Sequence, residues 1–203
     1  ETRAPQHAAT LIAERGEANW DLVALGDSTA AGVGVPSTDS YVQVYAGFIE
    51  QDLGVTVTVH SYATGSRRMV ADWVEVVQSN EALREDLRDA EAITIWLGSH
   101  DLLRAVGLGR GGPCYPRAGE ADLECLRRMT DRMQEGFDLL LSEIVALASP
   151  AQTLILIAEI GIPPPMVAAW QEDGTFALLK HHAYEVWRDH LIQAAEKHQA
   201  HVV

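Results

Sequence analysis

The sequence predicts an α/β protein in which a mostly parallel five-stranded sheet lies between two layers of helices, a three-layer α/β/α sandwich. Short apolar or β-branched segments alternate along the chain with longer segments of helical period, as strands and crossover helices do. Several short segments are apolar throughout, which is typical of parallel strands that are buried on both faces. The length suits one domain over residues 1–203, and no repeat or linker divides it.

The first half of the chain is expected to hold two strands, each preceded by a helix. The predicted strands are the apolar run Trp20–Leu25 and the β-branched run Val55–Val59. The predicted helices are a lead-in up to Asn19 and the segments Tyr41–Leu53, Trp73–Ser79 and Glu81–Asp89. Gly54 ends the second of these helices, and its Val44, Phe48 and Leu53 are expected to face the core.

The second half of the chain is expected to complete the sheet. The predicted strands are Ala92–Leu97, Thr153–Ile160 and a fifth that begins at His201–Val203. The predicted helices are Leu126–Leu147 and about Thr175–His198. A connection over Leu102–Asp122, with five glycines and two prolines, is long for a compact domain and is expected to be functional or braced. Pro163–Pro165 predicts an extended turn.

Candidate functional residues follow three of the predicted strands directly. They are Ser28, Gly65 and the segment Gly98–Asp101. In parallel α/β folds, ligands bind beyond the carboxyl ends of the strands, and these ends share one edge of the sheet. We therefore expect the three positions to lie close together.

The composition limits the partners and the compartment. A formal net charge of −14 argues against nucleic acid and anionic membrane surfaces, because both select basic patches. No apolar run approaches the roughly 20 residues that span a bilayer. Cys114 and Cys125 lie in or beside the glycine-rich connection, and either form a disulfide in an exported protein or are two free thiols in a cytoplasmic one.

Three short blocks carry a resemblance to a known family. Gly26–Ser28, within Ala24–Gly32, resembles the first block of the GDSL/SGNH hydrolases, which are serine esterases and lipases. Gly65 is similar to the glycine of the second block. Gly98–Asp101 is similar to the Gly-x-Asn-Asp block, except that His100 stands where the family has asparagine. The resemblance implies a flavodoxin-like SGNH-hydrolase sandwich and covers almost the whole chain in element order.

The resemblance also implies roles for these residues. Ser28 would be the nucleophile that forms an acyl-enzyme. The backbone N–H groups of Ser28 and Gly65 would stabilise the oxyanion, and the imidazole of His100 would replace the third donor, an asparagine side chain. Supporting positions in the same blocks are Asp27, Gly98 and Asp101. The family mechanism implies no metal and no cofactor.

Plainer interpretations of the same residues stay open. A serine that follows a buried strand is also typical of a helix N-cap. His100 is also consistent with a structural loop histidine. Ser28 nearly fits the Gly-x-Ser-x-Gly turn of α/β-hydrolases, but its early position, after the first clear strand, argues against that fold.

The fourth feature of the family, an Asp-x-x-His block near the C-terminus, has no match in the sequence, since no aspartate has histidine three positions later. In the family this block follows the fifth strand, and we expect it beyond Val203. The alternatives are a degenerate, inactive member or a substitute base, for which His198 and His201 are nearest in sequence.

The sequence therefore predicts hydrolysis of carboxylic esters through Ser28. One alternative is a carbohydrate esterase that removes acetyl groups from a polysaccharide, because the long connection and the proline turn could shape either an acyl pocket or a sugar cleft. Another is a binding protein on an esterase scaffold, suggested by His100 and by the absent Asp-x-x-His block. The sequence does not specify the oligomeric state.

Overall fold

A five-stranded sheet forms the centre of the structure, a computed structural model that describes residues 10, 19–107, 111–115, 120–159, 171 and 180–203, except the side chains of 182 and 183. The strands are β1 Asn19–Gly26, β2 Thr56–Ser61, β3 Ala92–Trp96, β4 Leu154–Ile157 and β5 His201–Val202. The described helices are α1 Tyr41–Leu53, α2 Val70–Ser79, α3 Glu81–Asp89, α4 Ser99–Val106, α5 Leu123–Leu147 and α6 Val186–His198. A 3₁₀ turn, Ser37–Asp39, precedes α1, and a π-helical segment, Lys180–Glu185, leads into α6.

All strand pairs are parallel, in the order β2-β1-β3-β4-β5. β1 is therefore paired on both sides, and its last residue, Gly26, lies opposite Trp96 at the end of β3. The carboxyl ends of the strands share one edge of the sheet, as parallel pairing requires. The prediction of a parallel five-stranded α/β fold is confirmed.

Helices cover both faces of the sheet. Val23 and Leu25 of β1 face the larger core, which also contains buried side chains of α2, α3, α5 and α6. Leu22 and Ala24 face the opposite side and pack with buried residues of α1. This alternation follows from the two-residue period of a strand and gives the three layers. In the described part of the chain, no helix is long and apolar enough to cross a membrane.

Two predictions about the helices are wrong. Val44 and Phe48 do not face the core: they are 44% and 55% exposed, and the buried residues of α1 are Val42, Ala46 and Ile49. Both sets have helical spacing and are apolar, so the period alone could not choose between them. The predicted connection Leu102–Asp122 is also shorter, because α4 continues to Val106.

Some predicted elements lie outside the described residues. These are the lead-in before Asn19, apart from Thr10, the turn at Pro163–Pro165 and the beginning of the helix predicted from Thr175.

A disulfide between Cys114 and Cys125 joins the segment after α4 to the first turn of α5. The Cys114 N–H group donates to the carbonyl of Ala105 at 2.9 Å, and the Cys114 carbonyl accepts from the Asp122 N–H group at 2.9 Å. The bridge packs in a small apolar cluster with Leu126. It therefore braces this connection, as one of the two interpretations predicted.

We predict that replacing Cys114→Ser and Cys125→Ser together lowers the free energy of unfolding by about 3 kcal/mol, because the closed loop no longer restricts the unfolded chain. Urea denaturation measures the difference. Reduction of the unmodified protein should give a similar loss, and the double variant should not respond to reductant. Equal stability of the oxidised protein and the variant would contradict the brace.

Candidate active site

The first block forms a tight turn at the carboxyl end of β1, called here the serine turn (residues 27–35). Gly26 must be glycine, because a Cβ atom there would lie 2.1 Å from Ala30 Cβ and 3.1 Å from the Trp96 carbonyl oxygen. The chain then folds back, and the Val33 N–H group donates to the Ser28 carbonyl at 2.9 Å. Ser28 is half-buried at the edge where the strands end.

The carboxylate of Asp27 connects the serine turn to the third block. Asp27 is 2% exposed. Its Oδ1 atom accepts from the Thr29 N–H group at 2.8 Å, and its Oδ2 atom accepts from the Ser99 hydroxyl. Its own N–H group donates to the Trp96 carbonyl at 3.2 Å. Asp27 thus holds the ends of β1 and β3 and the start of α4 together.

The second block lies beside the serine turn. In the loop after β2, called here the Gly65 loop (residues 62–69), the Thr64 N–H group donates to the Gly26 carbonyl at 3.1 Å. A Cβ atom built on Gly65 would lie 3.5 Å from Val33 Cγ2, an ordinary van der Waals contact. This loop therefore runs along the turn that carries Ser28.

The third block begins α4. Gly98 is the N-cap and has a φ of 110°, a left-handed conformation that favours glycine. His100 and Asp101 lie in the first turn of the helix. The Asp101 Oδ2 atom accepts from the Val70 N–H group at 3.1 Å, which joins α4 to the residue that follows the Gly65 loop. His100 is thereby held between two anchored neighbours, Ser99 and Asp101.

Three potential hydrogen-bond groups at this edge have no partner among the described residues. The backbone N–H groups of Ser28 and Gly65 donate to no acceptor there. The Nε2 atom of His100 is buried and also has no partner there. Buried polar atoms in native structures are usually paired, so an unpaired one requires an explanation, such as a ligand.

Ser28 is not the cap of the first regular helix that follows it. Residues 28–34 form turns, and α1 starts at Tyr41 with Ser40 as its N-cap, whose side chain accepts from the Gln43 N–H group at 3.5 Å. The N-cap interpretation of Ser28 therefore receives no support from the structure.

Sequence reasoning missed two members of the site. The Ser99 hydroxyl binds Asp27, and the Val70 N–H group binds Asp101. A small hydroxyl residue after a helix-starting glycine was a weak signal for the first. Nothing in the sequence marks the second, because it is a backbone group brought close by packing of α2 on α5. The two helices pack closely here, since a Cβ atom built on Gly136 of α5 would make an ordinary van der Waals contact of 3.4 Å with the Val70 Cγ1 atom.

The two histidines suggested as substitute bases lie away from Ser28. His198 is the last residue of α6, and the chain then enters β5 at its amino end. His198 therefore lies toward the edge of the sheet opposite Ser28. Its Nε2 atom is 2.7 Å from Asp138 Oδ1. His201 pairs with Leu156 in β5, three strand spacings or about 14 Å from β1. No histidine within the described ranges forms a hydrogen bond to the Ser28 hydroxyl.

Burial raises the pKa of the Asp101 carboxyl group to about 6, although hydrogen bonds from the Val70 N–H group and its own backbone N–H group oppose the shift. No group of three or more histidine, cysteine, aspartate or glutamate side chains in the described part of the chain could hold a metal ion.

Comparison with solved structures identifies the fold as that of SGNH-hydrolase esterases and lipases. The lipase Lip_vut3 from a goat rumen metagenome has a TM-score of 0.62 at 20% identity, covering 80% of this chain and 73% of that one. AlinE4, an SGNH-hydrolase family esterase, has a TM-score of 0.61 at 18% identity, covering 91% and 75%. An extracellular lipase from Streptomyces rimosus has a TM-score of 0.60 at 17% identity, covering 90% and 79%.

The sequence itself matches the model of the GDSL-like lipases and acylhydrolases over residues 22–201. The chain therefore belongs to the GDSL-like lipase/acylhydrolase family. A comparison with curated proteins finds no significant sequence match.

We predict that Asp101→Asn changes how stability depends on pH. The folded-state pKa of about 6 exceeds the ordinary value of 3.8, so Asp101 favours folding most at low pH and loses that contribution as the pH rises from about 4 to 6. Asparagine keeps an oxygen for the Val70 N–H group but does not ionise. Relative to the unmodified protein, the variant should gain about 2.4 kcal/mol between pH 4 and pH 8. Urea denaturation at both pH values tests this, and parallel profiles would contradict it.

Proposed function

We propose that the protein is a serine-dependent carboxylic ester hydrolase that forms an acyl-enzyme on Ser28. Membership of the GDSL-like family supports hydrolase chemistry. The observation that carries the proposal is the set of unengaged groups at one edge: the N–H groups of Ser28 and Gly65 and the buried Nε2 atom of His100. Such groups suit the oxyanion of a tetrahedral intermediate.

In the proposed reaction, the Ser28 Oγ atom attacks the carbonyl carbon of the ester, and a general base takes the hydroxyl proton. The carbonyl oxygen becomes an oxyanion in the tetrahedral intermediate. When the intermediate collapses, the bond to the alcohol oxygen breaks, and the alcohol leaves with the proton. Water then attacks the acyl-enzyme by the same route, releasing the carboxylic acid and restoring the Ser28 hydroxyl.

His100 takes the position of the family asparagine in this proposal. A neutral imidazole carries one N–H donor, so it can serve the oxyanion only as the tautomer protonated at Nε2. The hydrogen bonds of its neighbours Ser99 and Asp101 hold the first turn of α4, which limits how far the ring can move. His100 would thus act as a third donor with a different reach from asparagine.

The proposal requires a general base. His60 and His198 do not fit this role, because both rings are engaged elsewhere: the two ring nitrogens of His60 contact Asp21 at 2.9 Å and Asp86 at 3.1 Å, and His198 contacts Asp138. The base is expected to be a histidine of an Asp-x-x-His block, as in the family. The binding-protein alternative requires no base and predicts an unreactive Ser28.

The substrate is an ester of a small molecule or a polysaccharide in this proposal. An acetyl esterase acting on carbohydrate would use the same chemistry, so only turnover of acetylated polysaccharide compared with simple esters separates the two. We also propose an exported protein, with a cytoplasmic one as the alternative. The disulfide between Cys114 and Cys125 supports export, because such bridges persist in oxidising compartments.

We predict that a fluorophosphonate probe adds once to the protein and that Ser28→Ala abolishes the addition. The probe phosphorus is attacked by an activated serine and imitates the tetrahedral intermediate. Intact mass before and after treatment measures the adduct, and peptide mapping places it. Ser79→Ala, at an exposed serine near the end of α2, serves as the matched control and should keep a modifiable Ser28. A folded protein without an adduct would favour the binding-protein alternative.

We predict that His100→Ala lowers kcat/KM for a nitrophenyl ester by about 10²–10³, because one oxyanion donor is lost. The loss should fall mainly on kcat, since the donor acts on charge that develops in the transition state. His100→Asn should retain much more activity than His100→Ala, because the asparagine amide also donates. Equal activity of the alanine variant and the unmodified protein would show that His100 is a structural residue.

A further inference from the structure

We propose that the ester substrate carries an anionic group, which binds Arg67, Arg68 and Arg104 beside Gly65. This inference rests on the proposed function and specifies its substrate class. The anionic group is a carboxylate, phosphate or sulfate on the part of the ester that lies toward the Gly65 loop. The three residues are called here the arginine cluster.

The arginine cluster lies next to the candidate oxyanion donors. Arg67 and Arg68 are two and three residues beyond Gly65. Arg104 lies on α4 one turn after His100, and residues four apart share a face of a helix. Its Nη1 atom is 3.5 Å from the sulfur of Met69, so the guanidinium group reaches from α4 to the end of the Gly65 loop.

All three side chains are exposed and form no salt bridge within the described ranges, although Arg104 interacts at longer range with the charge of Asp101. None has a carboxylate within 4.0 Å among the described residues. Most other described arginines are paired, as Arg127 is with Glu124 at 2.7 Å. Arg68 lies 5.5 Å from the centre of the Trp73 ring. This cation–π contact orients the guanidinium group without neutralising its positive charge.

Two neighbouring carboxylates, those of Asp72 and Asp101, accept hydrogen bonds from the backbone. Asp72 accepts from the Met69 N–H group at 2.9 Å, in the first turn of α2. Asp101 accepts from the Val70 N–H group and lies largely buried below the surface. The three guanidinium groups therefore face solvent, while Asp72, also exposed, and Asp101 each use a carboxylate oxygen on a backbone N–H group. In a chain of net charge −14, this is a local reversal of sign.

A guanidinium group presents a planar fork of N–H donors that matches the two oxygens of a carboxylate, phosphate or sulfate. A cationic patch at the mouth of a site also raises the local concentration of anionic substrate, and salt screens this attraction. The acidic surface elsewhere would repel the same substrate. The cluster thus favours anionic esters over neutral ones at this site.

The experiment compares matched substrates that differ in one charge. On the acyl side, 4-nitrophenyl hydrogen succinate is compared with its neutral methyl ester. On the alcohol side, 4-carboxyphenyl acetate is compared with its neutral methyl ester, methyl 4-acetoxybenzoate. The variants are the triple replacement Arg67→Gln, Arg68→Gln and Arg104→Gln and the control Arg132→Gln, an exposed arginine on α5 that also lacks an ion pair within the described ranges.

In the unmodified protein, we expect kcat/KM to favour at least one anionic ester about tenfold over its neutral partner at low salt. High salt and the triple variant should each reduce this preference to about twofold, and the control should keep it. The side that shows the preference identifies where the anionic group sits. A preference below twofold on both sides, or one that the triple variant retains, overturns the inference while hydrolysis itself supports the proposed function.

A second measurement does not need turnover. N-phenylsuccinamate, an anionic amide, and N-phenylsuccinamide, its neutral counterpart without an ester bond, are compared in calorimetric titrations. We expect the anion to bind at least fivefold more tightly and the triple variant to lose this difference. If no ester is hydrolysed and no fluorophosphonate adduct forms, the proposed function fails, and this titration alone decides the charge preference. Equal binding of the two amides overturns the inference.

Discussion

The buried carboxylate of Asp27 is the contact on which the candidate site depends. A carboxylate that is 2% exposed is tolerable only when its oxygens are hydrogen-bonded, since an unpaired buried charge is strongly destabilising. Its partners are the Thr29 N–H group in the serine turn and the Ser99 hydroxyl at the start of α4. The ends of β1 and β3 are held at one spacing by this bridge and by the bond from the Asp27 N–H group to the Trp96 carbonyl.

A second, partly buried carboxylate extends the same arrangement. Asp101 ties α4 to the first residue of α2, and so to the Gly65 loop, at the expense of placing an ionisable group where its charge is poorly solvated. The oxygens of both carboxylates accept hydrogen bonds from neighbouring segments of the chain. Other hydrogen-bond donors at this edge have no acceptor among the described residues. Those open donors, on Ser28, Gly65 and His100, all lie at the edge where the strands end. Rigid loops with unengaged donors are what oxyanion stabilisation requires.

Predictions from the sequence succeeded where one local signal dominated. The buried strands were found because runs such as β3 and β4 are apolar throughout and are bounded by polar or helical segments. The rotation of α1 was missed because two apolar stripes compete, one through Val44 and Phe48 and one through Val42, Ala46 and Ile49. Only the second has a small residue at its centre, which lets the helix approach the sheet closely. Such a difference in fit is decided by the neighbouring strand.

The sequence by itself determined the parallel α/β class, the family and the three blocks, because strand period, helix period and turn-forming glycines are local properties of the chain. Only the tertiary structure decided that Asp27 spans two blocks and that Ser40, rather than Ser28, caps α1. It also decided that Arg104 of α4 reaches Met69 at the end of the Gly65 loop, and that His198 lies away from the serine. These outcomes depend on which edge of the sheet each loop reaches and on contacts between residues far apart in the chain, which local patterns do not encode.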